Sequence, residues 1–219
     1  MSMFIKQTFG EELANSITHG VAAIVALVLL PIAVVYADRH SGGGAVTCGV
    51  AVFGISVFLM FLMSALYHAM PPESDHKRVF KILDHIFIYV AIAGSYTPIA
   101  LAVIGGWKAV VLLAVQWAAV LFGILYKSLI RQTMPKTSLT IYLVMGWTAI
   151  LVIPELFRRA NPVLFWLIVA GGLAYSAGSY FYAKKAFRYH HTVWHLFVFV
   201  GAASHYVAIG FFLAPPSAF

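Results

Sequence analysis

The chain has 219 residues, 62% of them hydrophobic and 10% charged, with a mean hydropathy of +0.92 and a net charge of +7. That balance excludes a water-soluble domain of this size, which needs far more polar surface. The single cysteine, Cys48, excludes an internal disulfide framework and a cysteine-based zinc site. The basic residues are scattered through short loops with no basic-aromatic groove beside them, which argues against a nucleic-acid partner.

The first stretch, MSMFIKQTFGEELANS, has one lysine, two glutamates and no apolar core before residue 17, so it does not read as a cleaved signal peptide. Apolar runs of about 20 residues, enough to cross roughly 30 Å of hydrocarbon, follow near 16–37, 45–69, 82–104, 107–127, 138–157, 162–183 and 192–213. The breaks between them are DRHSGGG, MPPESDHKR, IGGWK, RQTMPKT, FRRANP and KKAFRYH, all rich in Pro, Gly or charge. The expected fold is an all-α polytopic membrane protein, a seven-transmembrane helix bundle in a single domain over 1–219. With the N-terminus in the cytoplasm, ten Lys and Arg residues lie on the inner side and four on the outer (Arg39, Lys108, Arg158 and Arg159). The excess of basic residues inside sets the direction: N-terminus cytoplasmic, C-terminus outside. Pro31, Pro98 and Pro154 sit in or near the ends of spans and are expected to kink helices. In the sixth span Ala170, Ala174 and Gly178, four residues apart, are expected to let a neighbouring helix approach closely.

Ionisable groups inside a bilayer are costly, and here they gather at one end of the bundle. Ser64 and His68 (SALYH) close the second span, Asp84 and His85 (KILDHIFIY) open the third, and His191 and His195 (HHTVWHLF) open the seventh. Glu12, Asn15, Thr18 and His19 (EELANSITHG) open the first. His191 and His195 are one turn apart and about 40° from eclipsed, so both reach one ion, whereas His190 is turned away by roughly 100°. A pair at this spacing can also simply meet lipid headgroups. His68 at the same depth adds a third imidazole, and three histidines with an open fourth position describe a catalytic zinc site.

Ser64, one turn before His68, shares its face and can orient a ligand or hold a substrate or oxyanion. Asp84 is suited to accept the proton of an activated water near the zinc. Its alternatives are a helix N-terminal carboxylate favoured by the dipole, or an ion pair with Lys81 or Arg78. His85, turned about 100° from Asp84, is expected to face another helix or a group behind the site. His205, ten residues past His195 and so roughly 15 Å deeper, is expected to be a packed or hydrogen-bonded core histidine. Glu12 and Asn15 either cap the first helix or, with His19 on the same face, clamp it against its neighbours.

Taken together, EELANSITHG, SALYH, KRVFKILDH, AGSYTP, MGW and HHTVWHLFV resemble the hemolysin III branch of the progestin and adipoQ receptor family, over nearly the whole chain. The wider superfamily includes alkaline ceramidases, which share a Ser and a His on the second span, an Asp on the third and two His on the seventh. Those correspond here to Ser64, His68, Asp84, His191 and His195. The resemblance implies zinc held by the three histidines near the cytoplasmic face, with Asp84 toward its water, in a bacterial plasma membrane. Receptor members are associated with ceramidase-type amide hydrolysis, and bacterial members with haemolysis and membrane homeostasis. Three functions follow as expectations: a zinc-dependent hydrolase of a membrane lipid amide or ester, a lipid or membrane-state sensor with structural zinc, and a cytolytic or channel-type protein. A channel needs a continuous polar path, for which Gln116 and His205 are the mid-span candidates.

Overall fold

A computed structural model describes residues 7–40, 43–129, 135–184 and 187–213. These form α1 (Phe9–His40), α2 (Gly44–Ala69), α3 (Asp75–Ile99), α4 (Gly106–Leu129), α5 (Pro135–Trp147), α6 (Ile153–Arg159), α7 (Pro162–Lys184) and α8 (His190–Phe211). Among the described residues seven segments are long and apolar enough to cross a membrane, with α5 and α6 together making one of them, so the chain is an all-α seven-span bundle. Large apolar side chains such as Val28, Ile32, Leu121, Leu125, Leu151 and Trp166 point outward, as lipid contact requires. Of the basic residues that suggested a direction, Lys6, Arg131 and Lys185 lie outside the described residues.

Successive spans run antiparallel, and α1 packs along α2 and α8, α2 along α3, and α7 along α8. Contacts of α5 with α3 and α7 complete a ring, while α4 lies against α3. Two helices begin earlier than their apolar runs. Helix α1 starts at Phe9 and α3 at Asp75, each about two turns ahead of the hydrocarbon-like stretch. Hydropathy reports contact with lipid, and a helix can continue past that contact through polar residues. Those extra turns carry Glu11, Glu12, Asn15 and Lys77 into the bundle's polar end.

The prolines act in different ways. Helix α1 continues through Pro31. Pro98 lies in the last turn of α3, and the next turn, Ala100–Ile104, widens to a π-helical one. Gly105 (φ 64°) and Gly106 (φ 58°) then reverse the chain in the left-handed region that glycine tolerates. Before Pro154 the fifth span narrows to a 3₁₀ segment, Thr148–Val152, and Pro154 sits in the first turn of α6. Such a break exposes carbonyls where no water can satisfy them. Tyr96 Oη donates to Met145 O (3.1 Å) and Gly146 O (2.6 Å), and Gln116 Nε2 donates to Met145 O (3.1 Å).

Helices α7 and α8 meet through glycines, at Gly178 as expected and at Gly171 in place of Ala170. Ala170 is exposed. Gly171 faces His205 and Gly178 faces Phe197 and Trp194 on α8. A Cβ on Gly178 would come within 2.6 Å of Phe197 Cβ. The residues two helical turns apart at 171 and 178 therefore set the contact, and the alanine beside the first of them meets lipid.

Gly178→Val should destabilise the bundle by about 1–3 kcal/mol through overpacking, read as a lower midpoint of thermal unfolding in detergent. Ala170→Val should leave that midpoint unchanged.

Candidate metal centre

Antiparallel alternation brings the starts of α1, α3 and α8 and the end of α2 to one end of the bundle. There the rings of His68 and His191 are 5.1 Å apart between centroids, His68 and His195 5.0 Å, and His191 and His195 4.7 Å. One nitrogen from each lies within 4.8 Å of one from each of the others. Ligands on a tetrahedral zinc with Zn–N bonds of 2.0–2.1 Å stand about 3.3 Å apart, so small ring rotations close the remaining gap.

The outer nitrogens are held in ways that aim the inner ones. His68 Nδ1–H donates to Glu12 Oε2 at 2.7 Å. The other Glu12 oxygen pairs with Lys77 Nζ at 3.0 Å, and that ammonium also donates to the carbonyls of Tyr67 in α2 and of Met70 just after it. His195 Nδ1 lies 3.3 Å from the carbonyl oxygen of Asn15, which can only accept, so this nitrogen carries the proton. In both rings Nε2 keeps its lone pair. His68 Nε2 is buried and has no hydrogen-bond partner among the described residues. Such an orphan costs about 1–3 kcal/mol unless a ligand takes it. A carboxylate behind a histidine is also the arrangement that orients a metal ligand and raises its basicity. The donor set fits a metal ion.

Helix α8 is positioned from α1. Thr8 and Glu11 form a capping box: Glu11 Oε2 accepts from Thr8 N–H (2.9 Å), and Thr8 Oγ accepts from Glu11 N–H (3.4 Å). The cap is therefore Thr8 with Glu11, and Glu12 and Asn15 are free to act as the clamp. Glu11 Oε1 accepts from the N–H of Tyr189, whose φ of 61° is the left-handed turn from which α8 starts. Asn15 Oδ1 accepts from Thr192 Oγ at 2.6 Å.

Asp84 and Ser64 line one cavity of about 880 Å³ with the three histidines. Asp84 is not among the mutually close ligand atoms. It lies in the third turn of α3, since that helix starts at Asp75, and Arg78 is paired with Asp75 at 2.6 Å. Neither the helix dipole nor Arg78 accounts for its position, and Lys81, the other expected ion-pair partner, lines the same cavity. Ser64 is buried one turn before His68. His85 Nδ1 donates to Lys81 O at 2.7 Å and lies 3.5 Å from Asp84 Oδ2. His190 bonds Phe187 O, away from the cluster, and His205 Nε2 donates to Ile168 O at 3.1 Å.

Two neighbours of the histidines were not legible in the sequence. Glu12 is the partner of His68 itself, and His19 stacks on His195 with ring centroids 3.5 Å apart and planes 8° from parallel. The shared face of Glu12, Asn15 and His19 was a signal for a clamp but did not say which side chains it would meet.

Fold and site define a class: a polytopic seven-helix membrane protein with a three-histidine group, able to hold a metal ion, at one end of the bundle. Residues 7–206 match the family described as "Haemolysin-III related", and the chain belongs to that family. It is 37% identical to "Hemolysin-3" of Bacillus cereus over 215 residues, covering 98% of this chain and 95% of that protein. With "Hemolysin-3 homolog" of Bacillus subtilis (strain 168) it shares 34% identity over 205 residues, covering 94% and 95%. With human "Monocyte to macrophage differentiation factor" the identity is 29% over 213 residues, covering 93% and 85%. These similarities support the hemolysin III branch of the progestin and adipoQ receptor family, which the motifs indicated.

Glu12→Ala should weaken binding of a divalent metal to the purified protein by roughly 10–100-fold, measured by chelator competition. His205→Ala, deeper in the bundle, should leave that affinity unchanged.

Proposed function

We propose that this protein is a zinc-dependent hydrolase of a membrane lipid amide or ester, built as one seven-helix domain, with His68, His191 and His195 as metal ligands. The observation that carries this reading is the trio of converging imidazoles, two with bare Nε2 atoms, opening into a cavity of about 880 Å³. Zinc held by three histidines supplies a Lewis acid and activates water as a nucleophile near neutral pH.

The chain's own residues do the rest. Glu12 and Asn15 fix the tautomers of His68 and His195. Ser64 donates a hydrogen bond to the substrate carbonyl. Asp84 takes a proton from the attacking water and returns it to the leaving nitrogen or oxygen as the C–N or C–O bond breaks. Apolar walls, including Ile92, Ile150, Phe165 and Ile168, receive an acyl chain.

A sensor with a structural metal is the second reading. Structural zinc usually has four protein ligands, and Asp84 and His85 stand outside the group of close ligand atoms, which favours the open site. A channel is less supported, because Gln116 and His205 are bonded to the carbonyls of Met145 and Ile168. We place the chain in the plasma membrane of a bacterium, with the N-terminus and the histidine end facing the cytoplasm.

Purified protein should contain about one zinc per chain by mass spectrometry of the metal, and His191→Ala should lose it. Asp84→Asn should keep zinc yet release fatty acid roughly 10²–10⁴ times more slowly. Stoichiometric zinc with no lipid cleaved by the wild type across a panel of amides and esters would overturn the hydrolase.

Topology is checked with introduced cysteines in a Cys48→Ser background. In intact cells Gly44→Cys should react with a membrane-impermeant maleimide and His76→Cys should not. The reverse pattern would invert the orientation.

A further inference from the structure

His19 stands beside the histidine group without joining it. Its ring lies flat against that of His195, with centroids 3.5 Å apart and planes 8° from parallel. The ring of Phe61 meets it edge-on, at 5.0 Å and 71°. The side chain is buried and lines the cavity, and neither of its nitrogens has a hydrogen-bond partner among the described residues. It contributes no atom to the group of mutually close ligand atoms, and the stack explains why. An imidazole lone pair lies in the plane of its ring, so an ion bound in the plane of His195 sits roughly 3.5 Å off the plane of His19. A Zn–N bond is about 2.0–2.1 Å long. His19 thus offers a face to a ligand of the ion, and no nitrogen to the ion itself.

That face has an electrostatic and a mechanical effect. Neutral aromatic rings repel in a full sandwich and settle into offset or edge-to-face pairs with centroids about 4.5–7 Å apart. The His19–His195 pair is closer and flatter than that. When one ring binds a cation and loses electron density, the negative face of its neighbour attracts it instead. The stack is therefore better suited to a metal-loaded His195 than to a bare one. Mechanically, His195 Nδ1–H is held by Asn15 O at 3.3 Å and Thr18 Oγ at 3.4 Å. Contacts at one atom fix where the ring points but leave it free to tilt about that atom, and a face laid against it removes the tilt. The platform is anchored, because Ser16 Oγ donates to Ala65 O at 3.0 Å and ties α1 to α2 just before His19.

We infer that His19 is a positioning residue of the metal centre, its ring face fixing the plane of His195 and favouring the state in which His195 holds a divalent cation. This role rests on the metal ligands of the reading above and not on hydrolysis. Asn15, Thr18 and His19 span little more than one turn of α1, so one stretch of helix sets both the tautomer and the tilt of His195.

Zinc affinity of the purified full chain, measured by chelator competition, and the cobalt(II) absorption of the same protein test this. His19→Leu fills the space without an aromatic face, and His19→Phe restores a face without nitrogens. The leucine variant should bind zinc roughly ten-fold more weakly than the wild type, and the phenylalanine variant within about three-fold of it. Cobalt(II) absorption reports the ligands around the ion, and its bands should not move in His19→Leu. Wild-type affinity in His19→Leu overturns the inference, since filled volume then suffices. A folded His19→Phe as weak as His19→Leu also overturns it, by assigning the role to a nitrogen. So does a cobalt spectrum of His19→Leu that has lost a nitrogen ligand, which would make His19 a ligand itself. Either variant alone can overturn the role, so one that fails to fold leaves the other to decide. A wild type that binds no divalent ion removes the three-histidine metal site together with this role, whereas a wild type that binds zinc beside an unaffected leucine variant removes this role alone. Lipid turnover, measured separately, decides the hydrolase reading.

Discussion

The carboxylate of Glu12 joins three helices with two oxygen atoms. One oxygen takes the Nδ1 proton of His68 at the end of α2, and the other takes Lys77 near the start of α3. Lys77 in turn donates to the carbonyls of Tyr67 and Met70 at the end of α2, where backbone acceptors run short of helical donors. An ionised carboxylate is tolerable at this depth only because both neighbours share its charge. The same contact fixes which nitrogen of His68 is bare. Ring orientation in the histidine cluster is thus a by-product of how the polar ends of α1, α2 and α3 are satisfied.

The same requirement, that every polar group find a partner without water, shapes the middle of the bundle. Where the fifth span narrows before Pro154, α3 and α4 send Tyr96 and Gln116 to the freed carbonyls. Where α8 carries His205 into the interior, α7 offers the carbonyl of Ile168. These polar side chains serve backbone, so their presence at mid-depth does not make a water path. Satisfaction is not complete in either place: Gln116 Oε1 at mid-depth, and His68 Nε2 and both ring nitrogens of His19 at the histidine end, are buried with no partner among the described residues. What marks the histidine end is the convergence of three imidazoles.

Much of this was legible in the sequence because two strong physical signals carry it. Hydrocarbon length marks spans well, and a helical turn between His191 and His195 marks a shared face. What was hidden depended on contacts between segments far apart in the chain. The polar first turns of α1 and α3 carry no apolar signature, so their helical start could not be read from hydropathy. The partner of Glu12 depends on how deep α2 reaches, which spacing within α1 cannot give. The small-residue stripe of α7 was read one position off at Ala170 because Ala and Gly both permit close approach, and only the rotation of the helix decides which of them faces α8. The narrowing of the fifth span depends on hydrogen-bond donors supplied by two other helices.

Helix α8 is held by α1 through Glu11 with Tyr189 and Asn15 with Thr192, the latter pair 177 residues apart. During synthesis at about 5–20 residues per second, the first helix waits roughly 9–35 seconds for that partner. Glu12 waits less, since His68 follows it by 56 positions. Throughout that interval the acids and amide at the start of α1 need water. Their location in the first two turns of the helix keeps them at the membrane surface, where water is available. Completion of the three-histidine cluster is therefore among the last events in the biogenesis of this chain, and a ribosome that stalls before α8 leaves a membrane-inserted protein without it.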